Sequence, residues 1–295
     1  MPSYGLLNAN KPSGMTSRDV VNRIQRLVRP LKAGHAGTLD PLASGVLVVC
    51  VGAATRLMEY VQRMPKRYRA TFLLGRESPT EDIDGPVTEL AEPPIPTLDQ
   101  LGAAALALTG EIQQRPPAFS ALKVAGRRAY DLARAGKPVD LQPRPVTVYR
   151  LDVEAYHYPD LQLAVECGSG TYVRSLGRDL AASLGTAAVM SQLTRTAIGS
   201  FTVEEAAPLD ALDPDHWTDH LLPPLRAVEM LPRVALTDAE IVRVRSGQAI
   251  AMQPPREDAK GVAAVSAVGQ LVAILVARGS GLWGPACNLP TGDGC

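Results

Sequence analysis

The sequence predicts a globular protein that mixes α-helices with β-strands and ends in a small β-rich module. Hydrophobic residues make up 46% of its 295 residues and charged residues 20%, which is typical of a chain with a buried core. A length of this size suits one large domain or two. A cluster of prolines and acids near 205–230 predicts a linker, and we therefore divide the chain into residues 1–225 and 231–295.

Threonine caps mark the starts of three predicted helices, at Thr16, Thr97 and Thr237. The first and the last are followed three residues later by an acid, which is the capping-box pattern. A further helix is predicted over 171–184, after a Gly-Ser-Gly turn. Apolar runs or alternation predict strands at 6–9, 46–51, 68–74, 146–156, 161–167, 262–268 and 271–276.

Two segments of the first domain interrupt this pattern. Residues 76–96 contain Asp-Gly-Pro and Pro-Pro breakers, and residues 111–145 are rich in Arg, Gly and Pro. We expect both to be exposed excursions from the body of the protein.

The net charge of zero hides a strong asymmetry along the chain. Residues 1–150 hold 20 Lys and Arg against 13 Asp and Glu, whereas residues 151–295 hold 10 against 17. The excess is concentrated in 11–76, with 12 basic residues and three acids. Such a local excess suits the binding of a polyanion, although scattered solvated charges would give the same composition.

Several classes of protein are disfavoured by what the sequence lacks. It has no P-loop, no G-x-G-x-x-G after a strand, and no Cys or His spacing typical of a metal site. The apolar run at 45–51 is much shorter than a membrane span, and the first residues do not resemble a signal peptide. We therefore expect a cytoplasmic protein with free thiols that needs no metal or cofactor.

The densest candidate site lies at 34–47, where three glycines, a proline and Asp40 precede the strand at 46–51. Glycines allow tight turns and close approach of a ligand, and Pro41 restricts the backbone of Asp40. A carboxylate held this way could act as a nucleophile or general base. Asp in a Gly- and Pro-rich loop is also a common turn residue or helix cap.

The segment 34–47 closely resembles the G-H-x-G-x-L-D-P-x-A-x-G-x-L signature of bacterial TruB-type tRNA pseudouridine-55 synthases. Further motifs of that family occur in the same order along nearly the whole chain. They include the K-P-x-G, K-x-Y and Q-x-P-P-x-x-S-A-x-K motifs, and they lie at 11–14, 66–68, 114–123, 144–146 and 167–176. The resemblance implies an isomerase that converts uridine to pseudouridine at position 55 in the T arm of tRNA.

The resemblance also implies roles for the central residues. Asp40 matches the catalytic aspartate that attacks the flipped uridine, and Arg174 matches the arginine that pairs with it. Tyr68 matches the tyrosine that stacks on the target base, and His35 the residue that fills the gap left by flipping. Attack at C6 of uracil, attack at C1′ of ribose, and formation of a glycal all remain open.

Other residues are implied as contacts to substrate. Leu193 matches an apolar residue beside the base, although Thr194 stands where a second basic residue is common. We expect the remaining contacts to support the site or the RNA backbone, and they are Lys11, Pro12, Tyr172, Arg127 and Arg128. The segments 76–96 and 111–145 are expected to touch the T stem-loop.

The fold implied by the resemblance is α+β. It is a pseudouridine synthase fold with a mixed, mainly antiparallel sheet and a PUA-like C-terminal domain. We expect a monomer that acts on tRNA without cofactor, metal or membrane. Two alternatives remain, namely a non-catalytic RNA-binding protein that remodels tRNA and a synthase acting on another RNA. The fold must bring Asp40 and Arg174 within hydrogen-bonding reach of each other.

Overall fold

The structure is a computed structural model that describes residues 4–120, 122–124, 127–135, 141–253, 255–256 and 258–290. The α-helices of these residues are α1 (Ser17–Leu27), α2 (Met58–Arg63), α3 (Leu98–Ala107), α4 (Ala129–Arg134), α5 (Val173–Ser183) and α6 (Asp238–Arg245). The strands are β1 (Gly5–Lys11), β2 (Ala33–His35), β3 (Ser44–Val51), β4 (Lys66–Leu74), β5 (Arg76–Glu77), β6 (Thr88–Glu89), β7 (Gly110–Gln114), β8 (Lys123–Val124), β9 (Arg127–Arg128), β10 (Arg144–His157), β11 (Asp160–Cys167), β12 (Ala188–Ile198), β13 (Phe201–Thr202), β14 (Ala207–Pro208), β15 (Leu221–Leu222), β16 (Arg233–Ala235), β17 (Ile250–Ala251), β18 (Val262–Val265), β19 (Leu271–Gly279) and β20 (Leu282–Asn288).

A large mixed sheet forms the body of the protein. Its central order is β14-β1-β3-β12-β4-β11-β10-β7, with β2, β13 and β15 paired at its sides. Most neighbours are antiparallel, while β14 runs parallel to β1 and β12 parallel to β3. The α+β class and the mixed, mainly antiparallel sheet are thus confirmed.

Helices cover the sheet through apolar faces that the sequence predicts. α1 begins with the capping box of Thr16 and Asp19 and buries Val20, Val21 and Ile24. α5 buries Leu176 and Leu180 in the same core cluster as the apolar face of β4. Each helix therefore packs the apolar residues that recur about every 3.6 positions against the alternate strand residues that point toward it.

A five-stranded sheet of order β16-β18-β19-β20-β17 follows near the C-terminal end. The predicted hairpin of β18 and β19 and the capping box of α6 at Thr237 are both present. The sheet packs on the large sheet through a shared cluster that joins Leu271 and Ile274 to Leu6 and Val228. The β-rich module is therefore confirmed, and it is packed against the rest of the chain.

The predicted linker at 205–230 is wrong. Two short strands within it, β14 and β15, pair with β1 and extend the large sheet. Ala227 and Val228 are buried in the cluster that joins the two sheets. Pro208 fits in β14 because an edge strand tolerates a missing N–H, and Pro223 and Pro224 begin a short 3-10 helix, where a missing N–H is also tolerated.

The description of 111–145 as an exposed excursion is wrong for its first part. β7 is a strand of the large sheet, paired with β10, and Gln114 is buried. Residues 121, 125–126 and 136–140 of this segment lie outside the described residues. In the other segment, 76–96, β5 and β6 form a small ladder, and Asp82 is buried against the protein instead of exposed.

The contact between α5 and β4 leaves no room for one added methyl group. A Cβ built on Gly177 would lie 2.0 Å from Cε1 of the fully buried Phe72. We expect Gly177→Ala to lower the free energy of unfolding by about 1–3 kcal/mol, measured by urea denaturation. Gly102→Ala is the control because no atom lies near its Cβ in α3, and it should stabilise by about 0.4–1 kcal/mol. Equal effects of the two substitutions would contradict this packing.

Candidate active site

Asp40 lies in the loop between β2 and β3, and its backbone neighbours are fixed by side chains from elsewhere. The hydroxyl of Ser17, at the start of α1, donates to the carbonyl of Leu39 at 3.0 Å and accepts from its N–H at 2.8 Å. The hydroxyl of Ser13 donates to the carbonyl of Leu42 at 2.8 Å. The Asp40 carboxylate remains about one third exposed, at 36%.

Lys11 fixes the loop through hydrogen bonds to backbone carbonyls. Its side chain is fully buried, and the ammonium donates to the carbonyls of Pro12 at 2.9 Å, Met15 at 2.5 Å and Pro41 at 3.3 Å. Burial lowers the pKa of Lys11 to about 8, an effect that the nearby charge of Asp40 opposes. The predicted site residue Lys11 is therefore a buried cation beside Asp40, while the adjacent Pro12 is exposed.

Arg195 is a central residue that the sequence interpretation did not include. Its side chain is 1% exposed, and its guanidinium donates to the carbonyls of Val46 at 2.8 Å and of Gly37 and Thr38 at 3.3 Å each. Ser17, Lys11 and Arg195 together hold the loop on both sides of Asp40. The sequence analysis interpreted Leu193 and Thr194 of the 192–195 motif but assigned no role to Arg195, the next residue.

The register of the sheet explains why Arg195 reaches this loop. Arg195 on β12 is paired with Tyr68 on β4 and with Gly45 on β3, and Gly45 is paired with Lys11 on β1. Four residues of the site thus form one row across four strands. Gly45 has a φ of +99°, and a Cβ there would lie 2.3 Å from the carbonyl oxygen of Arg195. Only glycine allows this close approach of β3 to β12.

Arg174 on α5 forms the central ion pair. Its Nε lies 3.1 Å from Oδ2 of Asp40, which confirms the predicted proximity of the two residues. Its Nη1 lies 3.0 Å from Oδ2 of Asp82 and donates to the carbonyl of Thr80 at 2.6 Å. Its Nη2 donates to the carbonyl of Phe119 at 3.2 Å. The guanidinium is 6% exposed, so one buried cation holds Asp40, the 80–82 segment and the 119 segment together.

A second set of polar contacts fixes the 80–82 segment onto α5. Ser175 donates to Oε2 of Glu81 at 2.7 Å, and Arg178 forms an ion pair with the same carboxylate. Burial raises the pKa of Glu81, and the charge of Arg178 opposes that rise. The contact places Asp82 next to Arg174, and neither acid was among the sequence-predicted residues.

Leu193 is buried in the core cluster that also contains Leu39, directly before Asp40, and the partly buried Tyr68 packs against that cluster. Burial raises the pKa of the Tyr68 phenol, with Arg195 acting in the opposite direction, so the hydroxyl is protonated at neutral pH. The structure therefore brings Asp40, Arg174, Tyr68, Leu193 and Lys11 into one site.

The remaining predicted residues are placed less centrally. His35 ends β2 and is partly buried, and burial lowers its pKa, which leaves the imidazole neutral at pH 7. Tyr172 precedes α5, where its backbone exchanges hydrogen bonds with the side chain of Gln114, and the guanidinium of Arg144 lies 5.3 Å from its ring centroid. Arg127 and Arg128 form β9, but their side chains lie outside the described part of the chain.

Within the described residues, no group of three or more His, Cys, Asp or Glu side chains is arranged to hold a metal ion. No described helix is long and apolar enough to cross a membrane. The site consists of one accessible carboxylate oriented by a guanidinium, with a phenol and apolar side chains beside it. This arrangement can supply a nucleophile or a base at a fixed position.

Comparison with known proteins identifies the family of the chain. Residues 25–173 match the model of the TruB family pseudouridylate synthase N-terminal domain. A tRNA pseudouridine synthase B from Mycobacterium sp. (strain KMS) is 44% identical over 251 residues, which cover 84% of each chain. Another from Paenarthrobacter aurescens (strain TC1) is 40% identical over 288 residues, 94% of this chain and 92% of the relative.

Solved structures show the same fold. The structure of a Cbf5-Nop10-Gar1 complex contains a chain that matches with a TM-score of 0.73 and 28% identity, over 98% of this chain and 84% of that one. A second match, with a TM-score of 0.72 and 26% identity, is an H/ACA RNP bound to a substrate RNA containing 2′-deoxyuridine.

The sheet, the Asp40–Arg174 pair and these similarities define a pseudouridylate synthase, an isomerase that acts on uridine in RNA. Within that class, the chain belongs to the TruB family.

The fork geometry of Arg174 predicts that charge alone does not suffice at this position. Lysine cannot bond two carboxylates and two carbonyls in one plane. Arg174→Lys should therefore lower the single-turnover rate of pseudouridine formation by about 100-fold or more, because Asp40 loses its orientation. Arg226→Lys is the control, since Arg226 pairs with the exposed Glu205 and contacts none of the partners of Arg174. Near-normal turnover in Arg174→Lys would remove Arg174 from this orienting role.

Arg195 should act on rate through the loop it holds. Arg195→Lys keeps the charge but cannot reach the carbonyls of Gly37, Thr38 and Val46 together. We expect the single-turnover rate to fall by about 10- to 100-fold through misplacement of Asp40. The unpaired carbonyls should also lower stability by about 1–3 kcal/mol. Arg226→Lys, at a partly exposed ion pair with Glu205, serves as the control. A loss of stability with an unchanged rate would show that Arg195 is only structural.

Proposed function

We propose that this protein converts uridine to pseudouridine at position 55 in the T arm of tRNA, with Asp40 as the nucleophile. The observation that carries the proposal is the accessible carboxylate of Asp40, held 3.1 Å from the buried guanidinium of Arg174. The relatives in the comparison bear the name tRNA pseudouridine synthase B, which supports tRNA as the substrate. The first 150 residues, with seven more basic than acidic residues, suit a polyanionic partner.

The reaction breaks the N–C glycosidic bond of uridine, rotates the uracil ring and joins its C5 to C1′ of the ribose. The proton on C5 is lost and another is taken up at N1, so the product is an isomer of the substrate. The balance therefore needs no oxidant, reductant or phosphoryl donor. It does need a nucleophile or base at a fixed position, which the clamped loop of Asp40 supplies.

The uridine must leave its stack to reach Asp40, because the glycosidic bond is hidden in a folded loop. Flipping costs a few kcal/mol, and stacking on an aromatic ring returns about 1–3 kcal/mol. Tyr68 is the proposed platform, Leu193 the apolar neighbour, and His35 the side chain that fills the gap. Attack at C6, attack at C1′ and a glycal path all use the same carboxylate position.

The alternative of a non-catalytic RNA-binding protein is disfavoured by the family and by the site. Buried cations around an accessible carboxylate serve catalysis better than binding, because an acid at the centre of an RNA site repels phosphate. The division into residues 1–225 and 231–295 and the monomeric state remain predictions.

Asp40→Asn tests the proposal with little change in volume. The variant loses the anionic oxygen but keeps the shape of the side chain, so tRNA affinity should stay within about threefold while turnover falls by at least about 1000-fold. The measurement is pseudouridine mapping in an unmodified tRNA transcript after incubation with purified protein. A transcript with cytidine at position 55 should stay unmodified in the same assay.

Two outcomes would contradict the proposal. Retention of a tenth of the wild-type rate in Asp40→Asn would remove Asp40 from the nucleophilic role. Pseudouridine at another position, with none at 55, would assign the site to a different uridine.

A further inference from the structure

The helix α1 and the residues that follow it carry exposed cations that the site described above does not use. Arg18, Arg26, Arg29 and Lys32 are exposed, and none takes part in an ion pair among the described residues. Other exposed arginines of the described chain include both paired and unpaired ones, such as Arg69 with Glu154 and the unpaired Arg67, so the feature that distinguishes α1 is the closeness of its cations to one another. Leaving several neighbouring cations unpaired raises the local positive potential of this surface.

The geometry of α1 puts these cations in line. Arg18 and Arg26 are eight residues apart, so they lie on one face about 12 Å from each other along the axis. Asn22, also exposed, lies between them on the same face. Beyond the end of the helix, Arg29 lines the same surface depression as Arg26, and the exposed Lys32 follows directly before β2. We call these four cations with Asn22 the α1 row.

A depression beside the row is lined by Asn22, Arg23, Arg26 and Arg29, together with Asp19. The carboxylate of Asp19 is engaged by the hydroxyl of Thr16 at 2.6 Å and by its N–H at 3.0 Å, in the capping box. Arg23 is paired with the exposed Asp210. Asp19 is thus the one acid among the described lining residues, against three arginines, and Arg26 and Arg29 have no ion pair among the described residues.

The α1 row begins at the rim of the active site. Ser17, the first residue of α1, bonds both polar backbone atoms of Leu39 beside Asp40. Arg18 is close enough to His35 to contribute to the lowering of its pKa. From this point the helix runs for about 16 Å. The segments around 80 and 119 approach Asp40 through Arg174 on α5, so the α1 row belongs to a different border of the site.

We propose that the α1 row binds the sugar–phosphate backbone of the tRNA substrate outside the T stem-loop. The inference rests on the proposed function, which assigns the T arm to the cleft at Asp40. Arginine and asparagine side chains on a helix suit phosphate and ribose contacts, which fix orientation without selecting a base sequence. A substrate that extends past the T arm would be held by this row, whereas an isolated stem-loop would not reach it.

The test compares two substrates with one charge-reversed protein. The double substitution Arg26→Glu with Arg29→Glu should weaken binding of full-length tRNA by about tenfold or more. The slope of log affinity against log salt concentration should become shallower by roughly 0.7–0.9 for each phosphate contact that is lost. Affinity for the isolated T stem-loop and the single-turnover rate at saturating enzyme should stay within about twofold, because neither residue contacts the loop of Asp40. Circular dichroism confirms the fold.

The matched control is Arg69→Glu with Arg150→Glu, which makes the same change in charge. Both arginines are 71% exposed and paired with acids, and both line a depression that also holds Glu154, Glu166 and Glu204. This control should leave both substrates nearly unaffected. Equal weakening of stem-loop and tRNA by the α1 variant would place the T arm itself on the row and overturn the proposal, as would no weakening of either. If wild-type protein binds tRNA but forms no pseudouridine, the proposed function fails while the binding comparison still stands.

Discussion

The structure around the site depends on the neutralisation of one buried cation. Arg174 is 6% exposed, and a guanidinium in that position is stable only if its donors and its charge are matched. Asp40 and Asp82 provide the charge, and the carbonyls of Thr80 and Phe119 complete the set. Because these partners come from widely separated parts of the chain, satisfying Arg174 requires α5, the loop before β3 and two further segments to meet at one point.

A second group of buried cations shapes the field at the same point. Lys11 and Arg195 donate to backbone carbonyls of the 37–41 region, and Lys66 lies near enough to Arg195 for its pKa to be lowered further. Burial is the larger cause, and it brings the pKa of Lys66 to about 8. Confining positive charge in a region of low dielectric strengthens its attraction for a carboxylate. The Asp40 carboxylate therefore has buried positive charge on two sides, from Arg174 and from Lys11 and Arg195.

Local patterns predicted most helices and long strands, because caps and apolar periodicity act within a few residues. The capping boxes at Thr16 and Thr237 and the apolar run of β3 are examples. β14 and β15 were missed because two-residue strands have no period, and they exist only through pairing with β1. The predicted linker failed for this reason.

In the site, likewise, some residues were predicted from local motifs, while others depend on contacts between distant parts of the chain. Asp40, Tyr68 and Arg174 were identifiable from motifs, whereas Arg195 acquires its role from register. It lies between Gly45 and Tyr68 on strands far away in sequence. Asp82 likewise matters only because Glu81 is held by Ser175 and Arg178 on α5. Neither relation is encoded within a window of ten residues, so no local pattern could reveal it.

The rigidity of the loop has a consequence for the proposed reaction. Residues 37, 38, 39, 41 and 42 each have a backbone carbonyl held by a side chain, which leaves the Asp40 carboxylate little freedom to approach a substrate. The movement must then come from the RNA, as flipping of the target uridine at a cost of a few kcal/mol. A nucleophile fixed during folding spares the reaction the entropy of ordering it, so binding energy from Tyr68 and the basic surfaces can offset the flipping cost. The reaction therefore requires both the hydrogen bonds that fix the Asp40 loop and an affinity for RNA that is large enough to offset base flipping.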